Sequence, residues 1–208
     1  MKIEQIVTRI AQSLFGTVVV LAGMGPSVLA DDNTGHFEDR GVHASMPLDS
    51  GAADRKDQLN DLVRIVRDAT ERFRDVRVAE AEGYTLQFGC VSGSDAGAMG
   101  LHFVNGALVG DGEIVATQPE IVIYEPSADG RLRLIGADYL VLADAWHSKH
   151  AAPPELMGQL FHLFDSPNRF GLPAFYTLHV WAWKDNPNGT FVNWHPQVSC
   201  DGFKGQNP

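Results

Sequence analysis

The chain has 208 residues, 44% hydrophobic and 20% charged, with 16 Lys and Arg against 26 Asp and Glu for a formal charge of −10. That composition excludes collagen-like, coiled-coil and disulfide-dense scaffolds, and it is too apolar for wholesale disorder. Its acidity repels phosphate backbones, which argues against nucleic acid and anionic membrane surfaces as partners.

Residues 1–30 have the pattern of a secretory signal peptide. Lys2 and Arg9 form a short basic start, the uncharged run that follows includes Val18-Val19-Val20-Leu21-Ala22, and Val28-Leu29-Ala30 offers small residues at a cleavage site. Pro26 interrupts the run before it reaches the roughly 20 residues a membrane span requires. The expectation is cleavage near Ala30, a secreted or periplasmic location, and no membrane span after processing. Residues 31–53 read as a flexible tether rich in Gly, Ser, Asp, Asn and His, including His36 and His43.

Residues 54–208 read as one α+β domain. Leu59, Leu62, Val63, Val66, Ala69 and Phe73 recur at helical spacing with Asp61, Arg64, Asp68 and Glu71 between them, predicting an amphipathic helix over 54–74. A second, short helix is predicted over 75–82, capped by Asp75 and stopped by Gly83. Strand texture follows over 84–88, 99–105, 120–125, 132–143 and 175–184. Asn105-Gly106 and Asp129-Gly130 supply turn chemistry between strands. The stretch 144–174, crowded with Pro, His and aromatic residues, reads as short helices and ordered loops. A mainly antiparallel sheet or partly closed barrel, with N-terminal helices and helical or loop cover, is the predicted fold.

Cys90 and Cys200 are the only cysteines. In an exported chain an even pair is most simply a disulfide, and closing so long a loop is worth about 4–5 kcal/mol in the chain-entropy picture. Two buried thiols or two soft metal ligands are the competing readings. With no C-x-x-C, thiol-redox catalysis has little support.

The candidate site rests on histidine placement. Strand alternation puts His102 opposite Met99, Leu101 and Phe103 in facing, and puts His179 on one face with Thr177, Trp181 and Trp183. Glu125 ends the apolar run Ile121-Val122-Ile123-Tyr124. Two neutral imidazoles and an ionised carboxylate on neighbouring strands suit zinc, copper or iron. The competing reading makes both histidines core residues hydrogen-bonded to backbone or to Glu125. His147 and His150, spaced three apart beside Asp144, are candidates to complete a ligand set. His162 reads as a packed core residue and His195 as a turn residue. Trp181, Trp183 and Trp146 are the candidate lining of a cleft for a small hydrophobic ligand or a protein partner, a non-enzymatic alternative. No G-x-S-x-G elbow, P-loop, dinucleotide fingerprint or H-E-x-x-H occurs.

The blocks Gly97-Ala98-Met99-Gly100-Leu101-His102-Phe103-Val104-Asn105, Pro119-Glu120-Ile121-Val122-Ile123-Tyr124-Glu125-Pro126 and Pro167-Asn168-Arg169-Phe170-Gly171-Leu172-Pro173-Ala174-Phe175-Tyr176 carry a likeness. With His179-Val180-Trp181-Ala182-Trp183-Lys184-Asp185-Asn186-Pro187, the chain resembles a group of uncharacterised exported bacterial proteins over about residues 60–201. The resemblance implies export and a single domain. It transfers no catalytic residues.

Overall fold

The apolar stripe of the first helix becomes α1 (Ser50–Thr70), which buries Leu62 and Val66 completely. At its end the Thr70 hydroxyl donates back to the Val66 carbonyl at 2.6 Å, and the chain tightens into a 3-10 turn, Glu71–Arg74, that buries Phe73. Asp75 then caps α2 (Val76–Ala81) by accepting from the Arg77 N–H, and Gly83 ends the segment at φ +94°. The computed structural model describes residues 50–205 except residue 94. The expected signal peptide and the tether residues up to 49, His36 and His43 among them, lie outside the described residues. The last tether residues, 50–53, already belong to α1.

The strands are β1 (Tyr84–Gly93), β2 (Gly97–Asn105), β3 (Ile121–Pro126), β4 (Leu132–Leu142), β5 (Glu155–Leu156), β6 (Gln159–Leu160), β7 (His162–Phe164) and β8 (Phe175–Val180). β5 and β6 form a separate small hairpin. The others make one six-stranded sheet, order β1-β2-β3-β4-β8-β7, antiparallel throughout and curled into a half-barrel. The expected α+β fold with an antiparallel, partly closed sheet is what the chain adopts. No helix among the described residues is long and apolar enough to cross a membrane.

Period-two alternation divides the sheet into two faces. Tyr139 and Val141 of β4 and Tyr176 and Leu178 of β8 pack with Leu62 and Val66 of α1. Leu101 and Phe103 of β2 and Val122 and Tyr124 of β3 pack with Phe73 and Ala79, and the Tyr124 hydroxyl donates to the Phe73 carbonyl at 2.7 Å. The other face carries His102, Ile121, Asp138, Thr177 and His179, all buried.

Several local expectations change. Asn105-Gly106 is a helix start, not a turn: the Asn105 side chain accepts from the N–H groups of Ala107 and Leu108, capping α3 (Gly106–Asp111). The Asp129-Gly130 hairpin forms as expected, with Ser127 N–H bonded to the Arg131 carbonyl at 2.8 Å. β8 stops at Val180, short of 184, because Ala182 N–H bonds back to the Val180 carbonyl at 2.8 Å and Trp181 N–H leaves the ladder for Thr190. The region 144–174 contains α4 (Ala143–His147), the β5–β6 hairpin and β7. His162 is exposed rather than core, since β7 is an edge strand.

The C-terminal segment is fixed to the start of the sheet. Ala98 and His195 exchange both backbone hydrogen bonds, and Cys90 is joined to Cys200, 110 residues away. Replacing both cysteines by Ala, or reducing the bond, is expected to lower unfolding stability by about 2–5 kcal/mol. Thermal or urea denaturation with and without reductant checks this, and equal midpoints would show that the bridge adds nothing.

Candidate metal centre

His102 sits on β2 two residues beyond a backbone irregularity. Gly100 has φ +92°, and a Cβ there would lie 2.7 Å from the Tyr124 carbonyl oxygen, so only glycine fits. Its own carbonyl meets the His102 ring: Nδ1 is 3.2 Å from the Gly100 oxygen. A carbonyl only accepts, so Nδ1 carries the hydrogen and Nε2 presents a lone pair.

His179 and Asp138 are cross-strand partners on β8 and β4. His179 Nδ1 makes no hydrogen bond of good geometry in its buried position; the Asn193 side chain is beside the ring and Oδ1 of Asp138 is 3.5 Å away. With Nδ1 turned to the carboxylate as its N–H, Nε2 of His179 is also a lone pair. The two Nε2 atoms face each other at 3.4 Å, with the rings tilted at 76°. Asp138 is steadied by Thr177, whose hydroxyl donates to Oδ1 at 2.5 Å.

Burial decides the protonation states. His102 is pushed down to about 4, by desolvation first and then by repulsion from His179. His179 is pushed down to about 3, by desolvation first and then by the charge of His162. Burial raises Asp138 to about 6, against the opposing pull of His102. Near neutral pH both imidazoles are therefore neutral and the carboxyl is ionised, the forms a metal ion requires. Ligand atoms of His102, Asp138 and His179 all lie within 4.8 Å of one another, so this buried group can hold a metal ion.

The structure brings together the two predicted strand histidines but replaces the predicted carboxylate. Glu125 is engaged elsewhere, by Lys184 Nζ at 2.6 Å, Arg133 at 2.5 Å and Ser199 N–H at 3.4 Å. Burial raises its pKa, but these cations win and hold it below the usual carboxylate value. His147 bonds the hydroxyl of Tyr176, which belongs to the helix-side core, so it lies across the sheet from His179. His150 stacks on Trp146 with ring centroids 3.9 Å apart. Neither histidine joins the buried group. Asp138 is the member of the group that the sequence does not single out; its signal is a lone carboxylate inside the apolar run Leu134-Ile135-Gly136-Ala137-Asp138-Tyr139-Leu140-Val141-Leu142.

The predicted tryptophan lining is also redistributed. Trp181 stays beside His179, ring centroids 5.9 Å apart, and donates to the Val192 carbonyl. Trp183 swings to the helix side, where it donates to Thr70 Oγ1 and lies under Arg74. Trp146 packs on that side too. Phenylalanines line the recess over the histidines instead: Phe88, Phe164, Phe170 and Phe175, with Leu140 and Leu172, around a narrow free space of about 30 Å³. Phe88 reaches it from a β1 bulge in which Phe88 and Gly89 both take left-handed backbone (φ 62° and 61°). Residues 165–174 strap across the mouth. Asn168 organises this strap, donating to the carbonyls of Asp165 and Leu172 and accepting from the N–H groups of Phe170 and Leu172.

No family model, curated protein or solved structure matches the chain.

A second buried carboxyl, Glu120, stands apart from this group and accepts from the Leu140 N–H at 3.1 Å. Burial pushes it up to about 8, against the opposing backbone hydrogen bonds. The folded chain thus holds this proton more tightly than the unfolded one. The resulting stabilisation is full below about pH 4.5 and is lost as pH rises through about 8. Glu120→Gln keeps an acceptor for Leu140 and removes the charge. Denaturation midpoints of the variant are expected to lack the wild-type decline across that window, at about 1.4 kcal/mol per pKa unit. An identical decline in both proteins would exclude Glu120 as its source.

Proposed function

We propose that the chain is an exported protein that holds one transition-metal ion through His102 Nε2, His179 Nε2 and the Asp138 carboxylate. One observation carries the reading: two imidazole Nε2 atoms converge at 3.4 Å at the buried floor of an apolar recess, with a carboxylate in reach. Two ligands at 2.0–2.1 Å from a tetrahedral ion stand about 3.3–3.4 Å apart. The alternative is a neutral hydrogen bond, with His179 in its Nε2–H tautomer donating to His102, which would turn the His179 Nδ1 lone pair towards the Asp138 carboxylate, two acceptors 3.5 Å apart. A further, charged proton between the rings is opposed by burial, which pushes both imidazoles well below neutrality.

Two nitrogens and one oxygen suit zinc, copper or iron and leave at least one coordination position for water or a ligand. The group forms part of the recess wall, so that position opens towards the phenylalanines. An ion placed so can polarise a bound molecule or lower the pKa of bound water. Export is supported by the signal-like start of the chain and by the Cys90–Cys200 bridge, which suits an oxidising compartment. The recess also favours a second reading, a non-enzymatic module for small hydrophobic ligands.

The full chain, purified without a polyhistidine tag and reconstituted separately with zinc, copper and iron, is expected to retain close to one equivalent of at least one of them by elemental analysis. His102→Ala and His179→Ala should abolish retention, and Asp138→Asn should weaken it by about 10–100-fold. A wild-type chain that retains none of the three metals would falsify the reading.

A further inference from the structure

The walls above the histidine floor have a composition that selects a class of ligand. Phe164 stacks parallel to Phe175 with centroids 5.1 Å apart, and Phe170 meets Phe88, Phe164 and Phe175 edge-on at 5.3–6.1 Å. These rings come from four places in the chain: the β1 bulge, β7, the strap and β8. All the polar side chains of the recess, His102, Asp138, Thr177 and His179, are buried. No Lys or Arg lines it among the described residues. A carboxylate, sulfonate or phosphate ester buried here would lack the cationic side chains such groups require. Sugars and other polyols would leave most of their hydroxyls facing phenylalanine.

From this we infer that the recess binds a small, uncharged aromatic molecule bearing one donor atom, its ring among Phe88, Phe164 and Phe170 and its donor reaching the ion on the histidine floor. This deepens the metal reading above and rests on it. The aromatic walls favour a ring over an aliphatic chain, since edge-on contacts of the kind already present among these side chains extend to a bound ring. With the walls as they stand the free space is only about 30 Å³, so a ring is accommodated by displacing Phe170 outward. Phe170 belongs to the strap, which Arg169 pins to β1 through the Ser92 carbonyl at 3.0 Å. The ring-binding wall is therefore assembled across the seam between the two edge strands.

The test uses the full chain loaded with cobalt(II), whose visible ligand-field bands report both metal binding and any new donor. The probes are imidazole and 4-phenylimidazole, which share the azole donor and differ by one ring. The expected result is that both shift the bands, with 4-phenylimidazole binding at least about tenfold more tightly. Phe170→Ala and, separately, Phe164→Ala should reduce that preference to less than about threefold while cobalt stays bound and the far-ultraviolet spectrum is unchanged. Absence of ligand-field bands from the wild type would overturn the metal reading and this inference with it. Normal bands with equal affinities for the two probes, or a ring preference that survives both Phe variants, would overturn this inference alone.

Discussion

The contact between His102 and His179 depends on the curvature of the sheet. Their strands, β2 and β8, are separated by β3 and β4. On a flat sheet three strand spacings amount to about 14 Å, and side chains standing perpendicular to the sheet would never meet. Closing that span to 3.4 Å between ring nitrogens requires the sheet to curl towards the histidine face. The register irregularities lie along the strands that must bend: Phe88 and Gly89 are extra on β1 between Gln87 and Cys90, Met99 is extra on β2 opposite Val91 and Ser92, and Ile135 is extra on β4 opposite Ile123 and Tyr124. Bulges of this kind raise local twist and bend the strand that carries them. Gly100 belongs to the same set, because its left-handed backbone both permits the close approach to Tyr124 and directs the carbonyl that fixes the His102 ring.

What the curled face encloses works against stability. Two neutral imidazoles and a carboxyl are almost wholly removed from water, and His179 Nδ1 makes no hydrogen bond of good geometry. A buried polar atom without a partner costs about 1–3 kcal/mol. The surrounding structure offsets this through conventional means: the apolar packing of α1 and the 3-10 turn on the other face, the Tyr124 hydroxyl anchored to Phe73, and the bridge from β1 to the C-terminal segment. Strained or polar arrangements held in place by an otherwise well-packed fold concentrate at functional sites. Here the cost falls on the residues that can hold an ion.

The histidines were legible because period-two alternation placed each inside an apolar strand, and the cysteine pair was legible because only two cysteines exist. Glu125 misled for a local reason. It ends an apolar strand, but β3 emerges there beside Lys184 and Arg133, which no pattern within the strand announces. Asp138 was visible as an anomaly in the longest strand, yet its role needed the pairing of β4 with β8, strands joined by the long segment 143–174. Alternation also failed past Val180, where the tight Ala182-to-Val180 bond turns the chain and sends Trp183 to the helix side. The phenylalanine recess was hidden for a similar reason. Phe88 enters it only through a bulge, and Phe170 only through a strap whose shape depends on the four hydrogen bonds of Asn168.

The floor and the outer wall of the recess differ in how they are held. The floor is fixed by backbone ladders on β2, β4 and β8, so His102, Asp138 and His179 keep their spacing without help from the recess walls. The wall at the mouth is built differently. β1 and β7 are the free edges of the sheet, and the strap between them is joined by ring contacts and by one bond from Arg169 to Ser92. Ring contacts of this sort are worth about 0.5–1.5 kcal/mol each, less than opening any ladder that positions the floor. Displacing Phe170 breaks three ring contacts and opens no strand pairing, so His102, Asp138 and His179 keep their positions. On the reading proposed above, the seam of the half-barrel is where an entering ion or molecule would meet the weakest contacts.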